Sequence, residues 1–327
     1  MTEPLLSVRH LTTEFILSQG KVACALEDVS FDVSPGQTVG LVGESGCGKT
    51  TTLMSVMRLL PSNGRITNGE VRFKGIDLLT LKEREMRSYR WKEMAIIFQS
   101  AMNALNPVMK VSDQIREPIL LHDLMDHDQA EKRVGELLEL VGIPQARRNQ
   151  YPHQYSGGMR QRAMIAMALA CGPDVIFADE PTTALDVMIQ AQVLELLRNI
   201  QKTLGRAIVL VTHDLGVVAE VCDSVVVMYG GKVAEYGSAE EIYNHAKHPY
   251  TQRLLASFPD VNKPTGTLIS IPGIPPRLTD LPKGCRFEPR CDVKIPDCAD
   301  VDPLLIETSE EHYVACHLCM GRKARFV

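Results

Sequence analysis

The sequence predicts an α/β fold organised around a phosphate-binding loop, with a small cysteine-rich region near its C-terminal end. Three observations lead there. Gly43-Glu44-Ser45-Gly46-Cys47-Gly48-Lys49-Thr50 matches the pattern G-x-x-x-x-G-K-[ST]. Apolar runs at 39–42, 175–178 and 208–211 read as buried strands, and two of them end in Asp179-Glu180 and His213-Asp214. Five of the nine cysteines crowd between Cys285 and Cys319.

The loop is credible because a strand leads in and a helix, expected over 51–57, leads out. Glycines let successive N–H groups curl around one anion, and the helix adds its positive end. Lys49 would reach the β- and γ-phosphates and the Thr50 hydroxyl would ligate Mg²⁺. Cys47 sits at that helix N-terminus, where a thiol pKa is often depressed. The expectation is that a maleimide blocks hydrolysis and that Mg-ATP protects.

Composition sets bounds. The 327 residues suit one large domain and a smaller one, and 45% hydrophobic content suffices for a core. A net charge of -5 gives no global attraction to nucleic acid. The longest apolar run, 163–171, is half of the ~18 residues a membrane span needs. Met1-Thr2-Glu3-Pro4 has no signal-peptide character, so a cytosolic protein with reduced cysteines is expected.

In chain order, 5–8 and 29–33 alternate as strands, with Phe15 between them as either a purine-stacking ring or a core or loop aromatic. Residues 70–73 read as a strand with its turn at Asn68-Gly69, and 82–92 as a solvated helix anchored by Trp91, the one tryptophan. A short strand at 95–98 ends at Gln99. Residues 111–148 are helical in pattern until Gly142 and Pro144. Ser156 is a plausible N-cap for a helix over 160–170, and Ser156-Gly157-Gly158 is either a turn or a second phosphate-contacting loop. Asp179 is placed to steady Mg²⁺ and Glu180 to act as general base. His213 is structural or a γ-phosphate contact. Residues 225–229 and 232–235 form a closing strand pair.

This order of elements resembles the ABC transporter ATPases. The resemblance covers residues 5 to about 259 and implies a P-loop NTPase ABC cassette, with a RecA-like core, mixed sheet and helical signature subdomain over about 100–159. It assigns Walker A to 43–50, the Q-loop to Gln99, the signature to Tyr155-Ser156-Gly157-Gly158-Met159, Walker B to 175–179, the catalytic carboxylate to Glu180, the D-loop to Ala184-Leu185-Asp186 and the switch histidine to His213. Nucleotide contacts are implied at Phe15, Gly43, Ser45, Gly46, Cys47, Gly48, Lys49, Thr50, Thr51, Gln99, Ser156, Gly157, Gly158, Asp179 and Asp186, and Mg²⁺ contacts at Thr50, Gln99 and Asp179. Tyr155 and Met159 replace the usual outer signature residues, Cys47 stands where Ser is usual, and Ser100-Ala101 replaces a frequent Asp-Pro. The implied mechanism pairs two cassettes head to tail, each capping the ATP held by the other.

After the cassette, His248-Pro249-Tyr250, Ser257-Phe258-Pro259, Ile271-Pro272-Gly273 and the run 284–291 resemble the C-terminal extension of oligopeptide/dipeptide and nickel importer ATPases. The implied domains are a cassette over 1–258 and an extension over 259–327. Cys285, Cys291, Cys298 and Cys316 are separated by five, six and seventeen residues, wider than the tight pairs of structural zinc. Four thiols in a reducing compartment fit a metal site better than disulfides. The relatives imply a [4Fe-4S] cluster on these four; Cys319 forms C-x₂-C with Cys316, but Cys316 fills the family position. A Pro- and Gly-rich tail makes a poor core by itself, so loss of one ligand is expected to unfold the tail before it affects hydrolysis.

The resemblance therefore implies ATP hydrolysis energising di- or oligopeptide import from the cytoplasmic face of the membrane. Its implied partners are two permease subunits, a second ATPase (self or related chain) and an extracytoplasmic substrate-binding protein. Nickel, metallophore or oligosaccharide import is the alternative. A soluble ABC ATPase acting on nucleic acid or ribosomes would carry a second cassette or a heptad insertion, and neither repeat is present. A P-loop kinase or GTPase would lack the signature and the histidine.

Overall fold

The computed structural model of the protein describes residues 3–99, 104–183, 185–257, 270–320 and 325–326. Ser100-Ala101, Ala184, Phe258-Pro259 and the expected domain boundary at 258/259 lie outside the described residues. The chain divides into two compact units. One comprises Met1–Ser34, Val39–Leu79 and Thr212–Val327, the other Pro35–Thr38 and Thr80–Val211.

The first unit opens on a long hairpin. β1 (Leu6–Ile16) pairs antiparallel with β2 (Val22–Val33), Leu6 opposite Val33 and Ile16 opposite Val22. The two short strands expected here are the clean ends of this pair. Between them, register shifts and the positive-φ residues His10 and Asp28 break the two-residue alternation. Phe15 thus lies inside β1, not between strands. β3 (Thr38–Val42) is buried at every position, and α1 (Lys49–Val56) follows the phosphate loop. β4 (Gly64–Phe73) pairs with the other edge of β1, so Asn68-Gly69 lie within a strand at a register shift and not in a turn. β5 (Ile76–Asp77) completes the sheet β2-β1-β4-β5.

The second unit holds α2 (Glu83–Tyr89), then Trp91, whose Nε1–H donates to the Met167 carbonyl at 2.9 Å. β6 (Met94–Ile97) is the edge of a parallel set. The single helical stretch expected from 111 to 148 is two helices, α3 (Val111–Leu121) and α4 (His127–Leu140). Asp126 and Gln129 form a capping box that starts α4 anew, and Gly142, at φ 73°, ends it. α5 (Gly157–Ala168) leads to β7 (Val175–Asp179), and α6 (Val187–Leu204) buries Val193, Leu197 and Ile200 before β8 (Ala207–Thr212). Met94 stands opposite Val175, and Val175 opposite Ala207. β7 and β8 are buried on both faces, which is why they read as unbroken apolar runs.

The first unit resumes with α7 (Leu215–Val221), β9 (Ser224–Tyr229), β10 (Lys232–Ser238), α8 (Ala239–His245) and α9 (Pro249–Ala256). β9 runs parallel to β3 and antiparallel to β10. β11 (Ile306–Ser309), β12 (His312–Val314) and β13 (Arg325–Phe326) then extend this sheet, with Val314 opposite Glu235. The order within the unit is β13-β11-β12-β10-β9-β3. The C-terminal residues therefore share the unit's core. Phe287, Ile306 and Val314 are buried, and the Phe287 ring meets Tyr229 edge-on at 5.2 Å and Tyr250 at 5.4 Å. No helix among the described residues is long and apolar enough to cross a membrane.

Candidate functional site

In the first unit, the buried β3 delivers the chain to Gly43, whose φ is 149°. A Cβ there would stand 2.2 Å from the Met228 carbonyl oxygen. Gly48, at φ 106°, caps α1, and a Cβ would meet the Ala25 carbonyl at 2.8 Å. Both positions thus require glycine, for conformation and for space. Lys49 is 6% exposed, and its Nζ donates to the carbonyls of Gly43 at 2.7 Å and Glu44 at 3.0 Å. The ammonium is therefore held over the loop by the loop's own carbonyls. Ser45, Gly46 and Thr50 are exposed, and Thr51 is half-buried. Exposed backbone at the start of a helix suits an anion.

Cys47 differs from expectation. Its side chain is 4% exposed and points under the loop, with Sγ 2.8 Å from where a Gly43 Cβ would be. Burial pushes the thiol above its ordinary pKa, and Lys49, with Nζ at 3.7 Å, only partly offsets that. The helix-start argument for a reactive thiolate fails because Sγ faces the core.

Phe15 is half-buried on β1, with its ring edge 2.9 Å from where a Cβ would stand on Gly64. His213 is exposed at the end of β8. The next residue, Asp214, caps α7 by accepting from Gly216 N at 2.8 Å and Val217 N at 3.3 Å.

In the second unit, Asp179 closes β7 and is 3% exposed. Glu180 has φ 43°, an unusual value for a residue with a Cβ. Its N–H donates to the Val211 carbonyl at 2.9 Å. Its Oε2 accepts from Gln99 Nε2 at 2.8 Å and Thr183 Oγ1 at 3.0 Å. Two of the predicted catalytic residues are thus in direct contact. Thr183 carried no signal beyond its place three residues after Glu180. Ser156 is the N-cap of α5, with Oγ accepting from Met159 N at 3.3 Å. Gly157 is half-buried in the first turn. A Cβ on Gly158 would stand 2.8 Å from Ile189, so this glycine is set by the approach of α6. Asp186 caps α6 through Ile189 N at 3.0 Å.

The C-terminal segment brings two residues to the phosphate loop that sequence reasoning missed. The Glu44 N–H donates to Tyr250 Oη at 2.9 Å. The Glu44 carboxylate accepts from both Nη atoms of Arg290, at 2.5 and 3.0 Å. No local pattern signals a contact between residues so far apart in sequence.

Cys285, Cys291, Cys298 and Cys316 line one small cavity, together with His248 and Phe287. Burial pushes Cys285 up to about 11 and also raises Cys291. Cys316 is raised first by its hydrogen bond with Cys319, then by burial. Among the described residues, no three His, Cys, Asp or Glu side chains are placed to hold a single metal ion. Cysteine thiols around one cavity are the donor type that an iron–sulfur cluster takes, so the cavity fits such a group in donor chemistry alone.

Comparison with known proteins gives two family matches. Residues 26–183 match the family described as ABC transporter, and residues 234–298 match the oligopeptide/dipeptide transporter C-terminal region. The dipeptide transport ATP-binding protein DppD of Bacillus subtilis is 48% identical, over 97% of this chain and 95% of its own length. The oligopeptide transport ATP-binding protein OppD of Salmonella typhimurium is 45% identical, over 92% and 90%. Among solved structures, the dimeric ATP-binding cassette MJ0796, in a post-hydrolysis state with ADP and Pi, aligns with a TM-score of 0.65 and 28% identity. That alignment covers 72% of this chain and 98% of MJ0796.

Proposed function

We propose a function on the premise that this chain belongs to the ABC transporter family: it is the ATP-hydrolysing subunit that energises import of dipeptides and oligopeptides. The observation that carries the reading is one chain joining a phosphate loop and a strand-end carboxylate to a C-terminal region of the oligopeptide/dipeptide type. The cassette spans 1–258 and the extension 259–327.

In this reading the backbone N–H groups of the loop hold the ATP phosphates, with Lys49 neutralising them, and Phe15 stacks on adenine. Glu180 removes the proton from water as its oxygen bonds to the γ-phosphorus and the bond to ADP breaks. The Gln99 and Thr183 donations to Oε2 fix the carboxylate's orientation, which supports that role. His213 holds the γ-phosphate and water. Thr50, Asp179 and Gln99 are the residues that would hold Mg²⁺, which would supply positive charge against the phosphates. Ser156, Gly157, Gly158 and Asp186 serve the nucleotide of a second cassette, a copy or a related chain, arranged head to tail. ATP binds the closed pair more tightly than the open one, and that difference drives two permease subunits between access states. A substrate-binding protein delivers the peptide, and the subunit works peripherally at the cytoplasmic face.

The proposal includes a [4Fe-4S] cluster on Cys285, Cys291, Cys298 and Cys316, supported by their shared cavity. When bound it would staple the segment covalently. Retention of iron by Cys291→Ser protein would refute this ligand set.

The test is transport in vesicles holding the permeases, partner ATPase and binding protein. Labelled di- and oligopeptides are offered beside nickel and oligosaccharides. Peptide-stimulated hydrolysis and uptake, both lost in Glu180→Gln, are expected. Stimulation by metal or sugar alone would overturn the peptide assignment.

A further inference from the structure

The arginine that reaches the phosphate loop is held with unusual completeness. Arg290 lies in the turn just before Cys291, and its side chain is 3% exposed. A guanidinium has five N–H donors. Nε donates to the Pro272 carbonyl at 2.7 Å. Nη1 donates to Glu44 Oε2 at 2.5 Å and Tyr229 Oη at 3.2 Å. Nη2 donates to Glu44 Oε1 at 3.0 Å and the Ile271 carbonyl at 3.3 Å. All five donors have acceptors, three supplied by the protein around the arginine and two by a residue of the loop. The guanidinium also sits 5.7 Å from the Tyr229 ring centroid.

Glu44 is fixed from the other side as well. Its N–H is tied to Tyr250 Oη, its carbonyl accepts from Lys49, and its carboxylate is gripped at both oxygens. A glycine-rich loop has many accessible conformations, and each lost on ligand binding costs entropy. A loop already held in one of them binds its anion more tightly.

We propose that Arg290 is a positioning residue for ATP: acting through Glu44, it holds the phosphate loop in its nucleotide-receiving form. The cysteine-lined C-terminal segment thereby sets the affinity of this cassette for ATP. The inference rests on the reading that the loop binds ATP phosphates. Damage to the tail should then weaken ATP binding, where the sequence alone leads to the expectation that the tail unfolds before hydrolysis is affected. Cys291 follows Arg290 directly, so disturbing the cysteine cavity moves the anchor of Glu44.

The test uses the full chain, with equilibrium Mg-ATP binding, and the assembled transporter for KM and kcat. Breaking one side of a buried ion pair strands a charge, so Arg290→Gln and Glu44→Gln should each weaken ATP binding about tenfold and raise KM in proportion. The kcat should stay within about twofold, because the pair acts on binding and not on the water or Glu180. The double variant should be no weaker than either single one, the signature of residues acting as a unit. Arg290→Lys should recover part of the affinity. Arg253→Ala removes the exposed Arg253–Asp292 ion pair, which tethers the same segment without touching the loop, and should leave ATP affinity unchanged. A wild-type ATP affinity in Glu44→Gln, which keeps size and fold, overturns the proposal, as do single effects that multiply in the double variant. Undiminished ATP binding by Lys49→Ala would overturn the reading of the loop itself, a distinct failure.

Discussion

Mild acid should loosen the first unit through one buried histidine. His248 is 3% exposed at the N-cap of α9, where its Nδ1 accepts from Tyr250 N at 3.0 Å. That bond needs the neutral ring. Burial lowers its pKa to about 4, with Glu235 and the Ala315 backbone only partly opposing the shift. The folded value lies below the unfolded value of 6.5, so between them the unfolded chain binds the extra proton. The His248 contribution is thus intact above pH 6.5 and declines as pH falls toward 4. Between pH 7 and pH 5 the difference in proton binding amounts to about 2 kcal/mol. Glu235 does not blur this window. Burial works to raise its pKa, but hydrogen bonds from His312 and the backbone of Lys247 and His248 hold it below 4.5. Its own loss comes at lower pH, as pH falls through that folded value. The assay is urea unfolding at pH 7 and pH 5, comparing wild type with His248→Asn. Asparagine keeps an acceptor for Tyr250 N and does not titrate. The wild type should lose about 2 kcal/mol more than the variant over that interval. Equal pH slopes in the two proteins would sink the reasoning.

Three further outcomes are expected. Glu180→Gln should bind Mg-ATP but hydrolyse it roughly 10²-fold more slowly; near-normal turnover would place the general base elsewhere. Cys47 should react with maleimide far more slowly in the native protein than in urea, because burial raises its pKa and covers Sγ; fast native labelling that Mg-ATP blocks would contradict the buried placement. Phe287→Ala should destabilise the first unit by about 3–5 kcal/mol in urea unfolding, since its ring packs among Tyr229, Tyr250 and His248. An unchanged midpoint would make the C-terminal segment a detachable appendage.

The readable parts of this fold were those where one physical cause dominates the local sequence. Val175–Asp179 and Ala207–Thr212 are buried on both faces, so nothing but apolar residues serves there until the strand ends. The loop at 43–50 was readable because backbone conformation and close approach leave only glycine at two of its positions. The β1–β2 hairpin was half-legible, because bulges at His10 and Asp28 interrupt its period. The break between α3 and α4 had a local sign, the Asp126–Gln129 capping box, hidden in a longer helical pattern. Phe287 and Arg290 had none. Their partners, Tyr229, Tyr250 and Glu44, come from distant parts of the chain, and only the folded first unit assembles them.

Glu180 is fixed by its backbone as well as by its side chain. A carboxylate ending a strand is a common solvated terminus, and it was the phosphate loop in the same chain that set the functional reading of Glu180 ahead of that one. In the structure Glu180 takes φ 43°, a conformation that costs a residue with a Cβ about 1–3 kcal/mol. Glycine would remove the cost, yet the position carries a carboxylate. Three bonds oppose the strain: the backbone N–H to Val211, and the two donations to Oε2 from Gln99 and Thr183. Here backbone and side chain are both fixed, and the fixed atom is a carboxylate oxygen at the end of a buried strand. That combination makes the orientation of Glu180, and not merely its charge, the property the local structure maintains.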